Sequence, residues 1–320
     1  MLYHILHKKI NFSLLLAVCL ILINAPAIAA AAVPEEPAWR LDAAIGSDEP
    51  IHFRRDADLK IAGGGQPTKE VLAHLHALLG VPPDMPIWDI DLRQESHGFL
   101  NHAAVSWHGP QNAANRGLAA TEVEQDETAR LQGALEHVVQ ALPMGRYDEE
   151  HIKDLFDEPV QSWSTERELA RRAGLGYKRF AATDMEWPAP AVIDDFVDFY
   201  RSLPKNHGWL FFHCQAGQGR TTTFMVLYEL LEHPSVTADE AIAHQRSLGG
   251  ADLSSGPRYH GLQLFAHYVK ENYASNFQQT WSQWLAARQN SYYQIFSTHH
   301  FRYFWKNDVI LSNGIFSILS

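Results

Sequence analysis

The sequence predicts an α/β domain with a mostly parallel central sheet flanked by helices. Two observations carry that reading. Strand-length apolar runs alternate with amphipathic helical patterns along most of the chain, which is the rhythm of a sheet covered by helices. One stretch, Gly208 to Leu230 (GWLFFHCQAGQGRTTTFMVLYEL), also reads unbroken as strand, glycine-bent loop and helix. At 320 residues, 46% of them apolar and 20% charged, the chain can bury the core of one large domain.

Taken in order, Ala30 to about Pro50 is rich in Ala, Pro and acids and reads as a loose segment. HFRRDADL and a Gly63–Gly65 turn follow. Thr68 then caps a helix whose Val71, Leu72, Leu75, Leu78 and Leu79 share a face, with Gly80 as its stop. PIWDIDL (Pro86 to Leu92) reads as a buried strand running into DLRQESHGF, and VSWHG as a shorter one. Leu131, Leu135, Val138, Val139 and Leu142 fit the spacing of a helix. Thr165 and Glu168 form a capping box for a helix closed by Gly174, and Tyr177 to Ala181 reads as a strand. Pro190 opens a helix before the Gly208 stretch. Thr237 and Glu240 box another, and TWSQWLAAR closes the pattern near Arg288. These readings divide the chain into a leader over 1–29, a loose segment over 30–50, a domain over 51–290 and an aromatic tail over 291–320 with no role assigned.

The leader has the parts of a secretory signal: Lys8 and Lys9, an apolar run from Phe12 to Ile23, and Ala27-Ile28-Ala29 as a small-x-small cleavage site. The apolar run is short for a membrane span, so export and a secreted or periplasmic location are expected. Cleavage would take both lysines and deepen the formal charge of −11 by two more. Such a field argues against nucleic acid or an anionic membrane as partner. It would also take Cys19 and leave Cys214 as the sole thiol, either an inert buried residue or a nucleophile.

His213 to Thr221 (HCQAGQGRT) decides between those two readings. Cys214 lies between a strand and a helix N-terminus, where the dipole and inward amides favour thiolate. Backbone N–H groups of Gln215, Ala216, Gly217, Gln218, Gly219 and Arg220 can form an anion nest, with the glycines allowing its curvature. Arg220 can grip two phosphate oxygens, and Thr221 can donate its hydroxyl to the sulfur. The chemistry is a thiolate meeting a phosphate. A sulfur-transferring rhodanese loop also has a cysteine-led cradle, but the Gly-Arg-Thr ending fits it poorly.

HCQAGQGRTTTF resembles the Cys-x5-Arg-Ser/Thr loop of the protein-tyrosine-phosphatase superfamily. Asp91 to Gly117 (DLRQESHGFLNHAAVSWHGPQNAANRG), Ala181 to Pro190 (AATDMEWPAP), QRSLGG and TWSQWL are similar to the cysteine phytases, bacterial phosphatases of myo-inositol polyphosphates. The resemblance runs from about Trp39 to Arg288. It implies a phosphatase-like domain with a smaller, partly β subdomain, and a metal-independent hydrolase acting on a small inositol phosphate, expected as a monomer. It implies Cys214 as nucleophile, Arg220 as phosphate-binding arginine and Asp184 as general acid and then base. Arg54 would contact a distal phosphate, Arg258 would supply a further positive charge, and Asp91 would shape the pocket beside His213 and the loop. For Arg93 and Glu95 the preferred reading is structural, an internal Asp-Arg ion pair holding the loop.

The chain departs from that family outside the loop. Met185 stands where a histidine usually follows the acid, and GRYDEEHIKD is acidic at Asp148, Glu149 and Glu150 where a basic stretch is usual. A lysine-rich insertion after the Gly249-Gly250 loop is missing. A thinner outer ring of charge is expected, with weaker hold on a substrate carrying six phosphates. The eighteen histidines give no metal reading: neither His74 with His76 nor His299 with His300 has ligand spacing on one helix face. A phosphatase of phosphoproteins or phosphoinositides, and a non-catalytic inositol-phosphate-binding module, stay open as alternatives.

Overall fold

The computed structural model describes residues 37–145 and 150–295. The expected leader, Asp148, Glu149, His299, His300 and the chain from 296 onward lie outside the described residues. In chain order, β1 (Ala38–Leu41), β2 (Arg54–Asp56) and β3 (Ile61–Gly64) precede α1 (Lys69–Leu79). Then come β4 (Ile87–Arg93), β5 (His97–Leu100), β6 (Ala103–His108), α2 (Ala120–Gly133), β7 (Val138–Ala141), β8 (Phe156–Pro159) and β9 (Trp163–Ser164). The remainder is α3 (Glu166–Arg172), β10 (Gly176–Ala182), α4 (Pro190–Ser202), β11 (Trp209–His213), α5 (Gly219–Glu232), α6 (Ala238–Ser247), α7 (Gly256–Asn272) and α8 (Trp281–Ile295).

Local chemistry sets several boundaries. Thr68 Oγ1 accepts from Val71 N at 3.1 Å to start α1, and Gly80 ends it in a left-handed turn at φ 66°. Thr165 with Glu168, and Thr237 with Glu240, close capping boxes at α3 and α6.

The larger sheet has the order β10-β4-β11-β3-β2. β10, β4, β11 and β3 run parallel, and β2 pairs antiparallel at the edge. His213 at the end of β11 is level with Asp91 of β4 and Gly64 of β3. The segments leaving β3, β4, β10 and β11 therefore emerge at one carboxyl edge, where an open α/β sheet places its site. A second sheet, β1-β6-β5-β9, is antiparallel throughout. It has its own apolar cluster around Leu41, Leu100, Val105, Leu131 and Phe156, the smaller β part of the fold.

α5 is central to the main core. Every residue from Arg220 to Leu231 is buried, with Phe224, Leu227 and Tyr228 packed among Phe180, Phe196 and Phe212. Its buried threonines are all bonded: Thr221 to Cys214, Thr222 to Arg54 and Ala251 N, and Thr223 to the carbonyl of Gly219. A helix with no wet face holds its N-terminal loop rigidly, because nothing around it is free to give.

Three stretches differ from the sequence reading. Ala38 to Leu41, within the segment read as loose, pairs with β6 as an edge strand. The helix over Leu131 to Leu142 stops at Gly133, and Val138 to Ala141 forms a strand against Phe156 to Pro159. Its exposure alternates with period two, and Leu135, Val138 and Leu142 are exposed at 36%, 67% and 46%, so the supposed apolar face does not exist. α8 runs past Arg288 to Ile295.

Candidate active site

The cradle is held from outside through its carbonyls. The oxygen of Gln215 accepts from Gln66 N at 2.9 Å, that of Ala216 from His52 Nδ1 at 2.8 Å, and that of Gly217 from Arg54 Nη1 at 2.8 Å. In a trans peptide the C=O and the following N–H point in opposite directions. Carbonyls turned outward therefore turn the amides of Ala216, Gly217 and Gln218 inward, which makes the anion nest. Gly217 sits at φ 71°, and a Cβ there would lie 2.4 Å from the backbone of Gly64. Only glycine fits so close to β3.

Cys214, 3% exposed, forms the floor of the cradle. Burial pushes its thiol up, but the charge of Arg220 and the Thr221 hydroxyl, which donates to Sγ at 3.3 Å, outweigh that and bring it below its ordinary value. Arg220 is gripped end-on by Glu95, with Nη1 to Oε2 at 2.7 Å and Nη2 to Oε1 at 2.9 Å. Its Nε has no hydrogen-bond partner among the described residues. The side edge of the guanidinium, Nε with the second N–H of Nη2, is thus left for an oxyanion.

Asp184 follows β10 and faces Arg220, with Oδ2 3.4 Å from Nη2. Oδ2 also accepts from Asn112 Nδ2 at 2.9 Å, and Oδ1 from Met185 N at 2.8 Å. Burial raises its pKa, but the Arg220 charge together with these donors outweighs it and holds the carboxyl below the usual range. Arg258 reaches in from α7, its Nη2 3.9 Å from Asp184 Oδ1, and it lies where a Cβ on Gly219 would be, 2.0 Å from Nη1. Met185 has φ 60° and is 75% exposed at the rim, beside an ion pair between Arg116 and Glu186.

Cys214, Arg220, Thr221, Asp184, Arg258 and the loop from Gln215 to Gly219 thus come together. Three other expected residues do not line the pocket. Asp91 is fully buried because β4 continues through Arg93, so the carboxylate lies within the sheet. There it accepts from Tyr177 Oη at 2.8 Å and Arg93 N at 2.8 Å. His213 is also fully buried and meets Glu166 at 2.7 Å and Asp89 at 3.2 Å. Burial opposes its charge, yet the carboxylates of Glu166 and Asp89 raise it well above the ordinary histidine value. Arg54 is 4% exposed and spends its Nη groups on the carbonyls of His52 and Gly217 and on Thr222 Oγ1. It braces the loop from behind. Burial lowers its pKa to about 10.

The sequence reading gave Arg93 and Glu95 a structural role through an internal Asp-Arg ion pair. Arg93 does pair with an aspartate, Asp42, at 2.8 Å, but the reading missed its pairing with Glu95 at 2.8 Å and what Glu95 does. Glu95 is the carboxylate under Arg220, and Arg93 ties it to Asp42 at 2.8 Å. Its position just past β4 was the only signal available. Asn112 was missed entirely. Two described groups have donors close enough to hold a cation, Asp56 with Glu229 and His244, and Asp89 with Glu166 and His213. The second is occupied by its own ion pairs. His74 and His76 each lie against a backbone carbonyl. Among the described residues no helix is long and apolar enough to cross a membrane.

Comparison with known proteins agrees with this geometry. Residues 90–232 match the family model for PTP-like phytases, described by inositol hexakisphosphate. The PTP-like myo-inositol phosphatase from Mitsuokella multacida, solved in complex with myo-inositol-(1,3,4,5)-tetrakisphosphate, is 32% identical with a TM-score of 0.71, covering 78% of this chain and 49% of that one. A PTP-like phytase from Bdellovibrio bacteriovorus is 25% identical with a TM-score of 0.67, covering 78% and 95%. The effector protein hopD2 of Pseudomonas syringae pv. tomato is 29% identical over 251 residues, 72% of this chain and 52% of that protein. The chain spans about half the length of the Mitsuokella and Pseudomonas proteins it matches. With its cysteine cradle at the carboxyl edge of a parallel sheet, this chain is similar in sequence and in structure to the PTP-like phytases.

Proposed function

We propose that this chain hydrolyses phosphate monoesters of myo-inositol polyphosphates through a phosphocysteine. The observation that carries the reading is one arrangement. A buried thiol with a lowered pKa sits at the base of inward amides, under the open edge of Arg220, with a carboxylate 3.4 Å from that arginine. Cys214 Sγ attacks phosphorus, the bond to the inositol oxygen breaks, and Asp184 gives that oxygen its proton. Water then attacks phosphorus, Asp184 takes the water's proton, and the S–P bond breaks to return the thiolate, eased by the Thr221 hydroxyl. Asp184 is held ionised when the cradle is empty. An arriving phosphate shares the charge of Arg220 and repels the carboxylate, and both effects raise the Asp184 pKa to where it can carry the proton.

A binding module would not need the thiolate and the acid together, so the assembled set supports catalysis. The rim supports a preference for less phosphorylated inositols. Met185 offers no charge there, and Arg116 is engaged by Glu186.

The test is phosphate release from inositol hexakisphosphate, lower inositol phosphates and a phosphotyrosine peptide, by wild type and by Cys214→Ser. Release from the inositol esters only, abolished in the variant, is expected. Release that survives in Cys214→Ser would overturn the mechanism, and a faster rate on the peptide would overturn the substrate class. Asp184 must be protonated for the first step, so kcat should fall as pH rises through its pKa in the complex, and Asp184→Asn should lose that limb.

A further inference from the structure

Asn112 has an uncommon conformation and an unusual set of neighbours. It ends the short turn Pro110–Asn112 after β6, with φ 55°, and is 6% exposed. Asparagine tolerates that left-handed backbone, which alone could account for the residue. Its side chain says more. Nδ2 donates to Asp184 Oδ2 at 2.9 Å and to Glu95 Oε1 at 3.2 Å, while Oδ1 lies 3.1 Å from His108 Nδ1. An amide facing two carboxylates must present its NH2, so the orientation is fixed by its neighbours.

We propose that Asn112 is the positioning residue for Asp184: one amide spans the acid and the carboxylate that grips Arg220, and so fixes the distance between the group that binds phosphate and the group that protonates the leaving oxygen. The inference rests on the reading of Asp184 as general acid and extends it to a residue in the turn that follows β6. Three further contacts, all through Gln94, tie the same two segments. Thr183 Oγ1 donates to Gln94 Oε1 at 2.9 Å, and Gln94 Nε2 bonds the carbonyls of Asn115 and Leu118 at 2.7 and 2.9 Å. Those contacts hold the loops. The Asn112 amide alone among them touches the acid itself.

The sign of its electrostatic effect follows from the donors. The charged groups facing Asp184 are Arg220 from α5, Arg258 from α7, and Glu95 and Cys214, which oppose them. An N–H on Oδ2 favours the ionised carboxylate, so its removal raises the pKa of Asp184 and moves the alkaline limb of kcat to higher pH. Loss of aim lowers kcat at the same time. General acid help matters most for poor leaving groups, and it contributes roughly 100- to 10,000-fold in enzymes.

The test uses Asn112→Gly, which keeps the left-handed turn, beside Asn112→Asp, which keeps the shape but repels both carboxylates. The substrates are an inositol phosphate, phenyl phosphate and p-nitrophenyl phosphate, the last needing little protonation. Expected for the glycine variant is a fall in kcat of about 10- to 100-fold on the inositol and phenyl esters and about 3-fold or less on the nitrophenyl ester, with KM nearly constant and the alkaline limb shifted upward. Asn112→Asp should be at least as impaired. An equal loss on all three esters would assign Asn112 to Glu95 and the fold, and no loss would assign it to the turn; either result overturns the proposal. If wild type turns over only the phenyl esters, the inositol reading fails, and Asn112 is still judged on the phenyl pair.

Discussion

The two sides of the cradle are built differently. Beneath it, Arg220, Glu95, Arg93 and Asp42 form a continuous run of contacts between 2.7 and 2.9 Å, with every side chain at or near zero exposure. Above it, the rim offers an exposed methionine, an Arg116–Glu186 pair in solvent, and Arg258 at 13% side-chain exposure. The difference teaches where the chain has committed itself. For the proposed substrate, one phosphate would be met by a site with no slack, and the rest of the polyphosphate by a surface with few fixed charges.

The hardest way to break that contrast is from below. Glu95→Gln leaves Arg220 and Arg93 under-compensated in a buried site, which should cost about 3–5 kcal/mol of stability and at least about 100-fold in kcat. Burial pushes the Glu95 carboxyl up, but Arg220 and Arg93 hold it well below the usual range. Its contribution is therefore full above the ordinary carboxylate pKa and lost as pH falls through the depressed one. Urea denaturation should show a stability gap between wild type and variant that is constant near neutrality and closes only in strong acid. A gap that closes as pH rises would be the wrong sign.

A smaller effect should come from the rim. Met185→His places a chargeable ring beside Asp184, and KM for inositol hexakisphosphate should drop a few-fold at mildly acidic pH with little change for a monophosphate. Equal changes for both substrates would mean that residue 185 acts on the first phosphate instead. Smallest of all, Glu186→Gln frees Arg116 from an exposed pair worth about 0–1 kcal/mol, so thermal stability should barely move. Salt dependence of KM should steepen if the released Arg116 reaches the substrate.

What was legible in the sequence follows the same division. Caps, stops and the eight residues of the loop are local features, so Thr68, Gly80, Thr165 and Cys214 to Thr221 could be read directly. The floor could not. Glu95 and Arg220 are 125 positions apart, and Asn112 and Asp184 are 72 apart, and no local pattern marks either pair. Asp91 was assigned to the pocket on the resemblance alone, although it already lay inside the strand read over Pro86 to Leu92, which ends at Arg93. Val138 to Ala141 was misread because apolar residues spaced three and four apart also occur where two short elements meet. The alternation of its burial appears only once β8 is beside it.

The three carbonyls pinned by Gln66, His52 and Arg54 bear on timing. Gln66, His52 and Arg54 lie on or beside β2 and β3, and β3 pairs with β11, so the contacts that shape the cradle belong to the fold itself and are in place without a ligand. Small tetrahedral oxyanions such as vanadate should then bind in a single kinetic phase, at a rate that depends on diffusion and charge and not on loop closure.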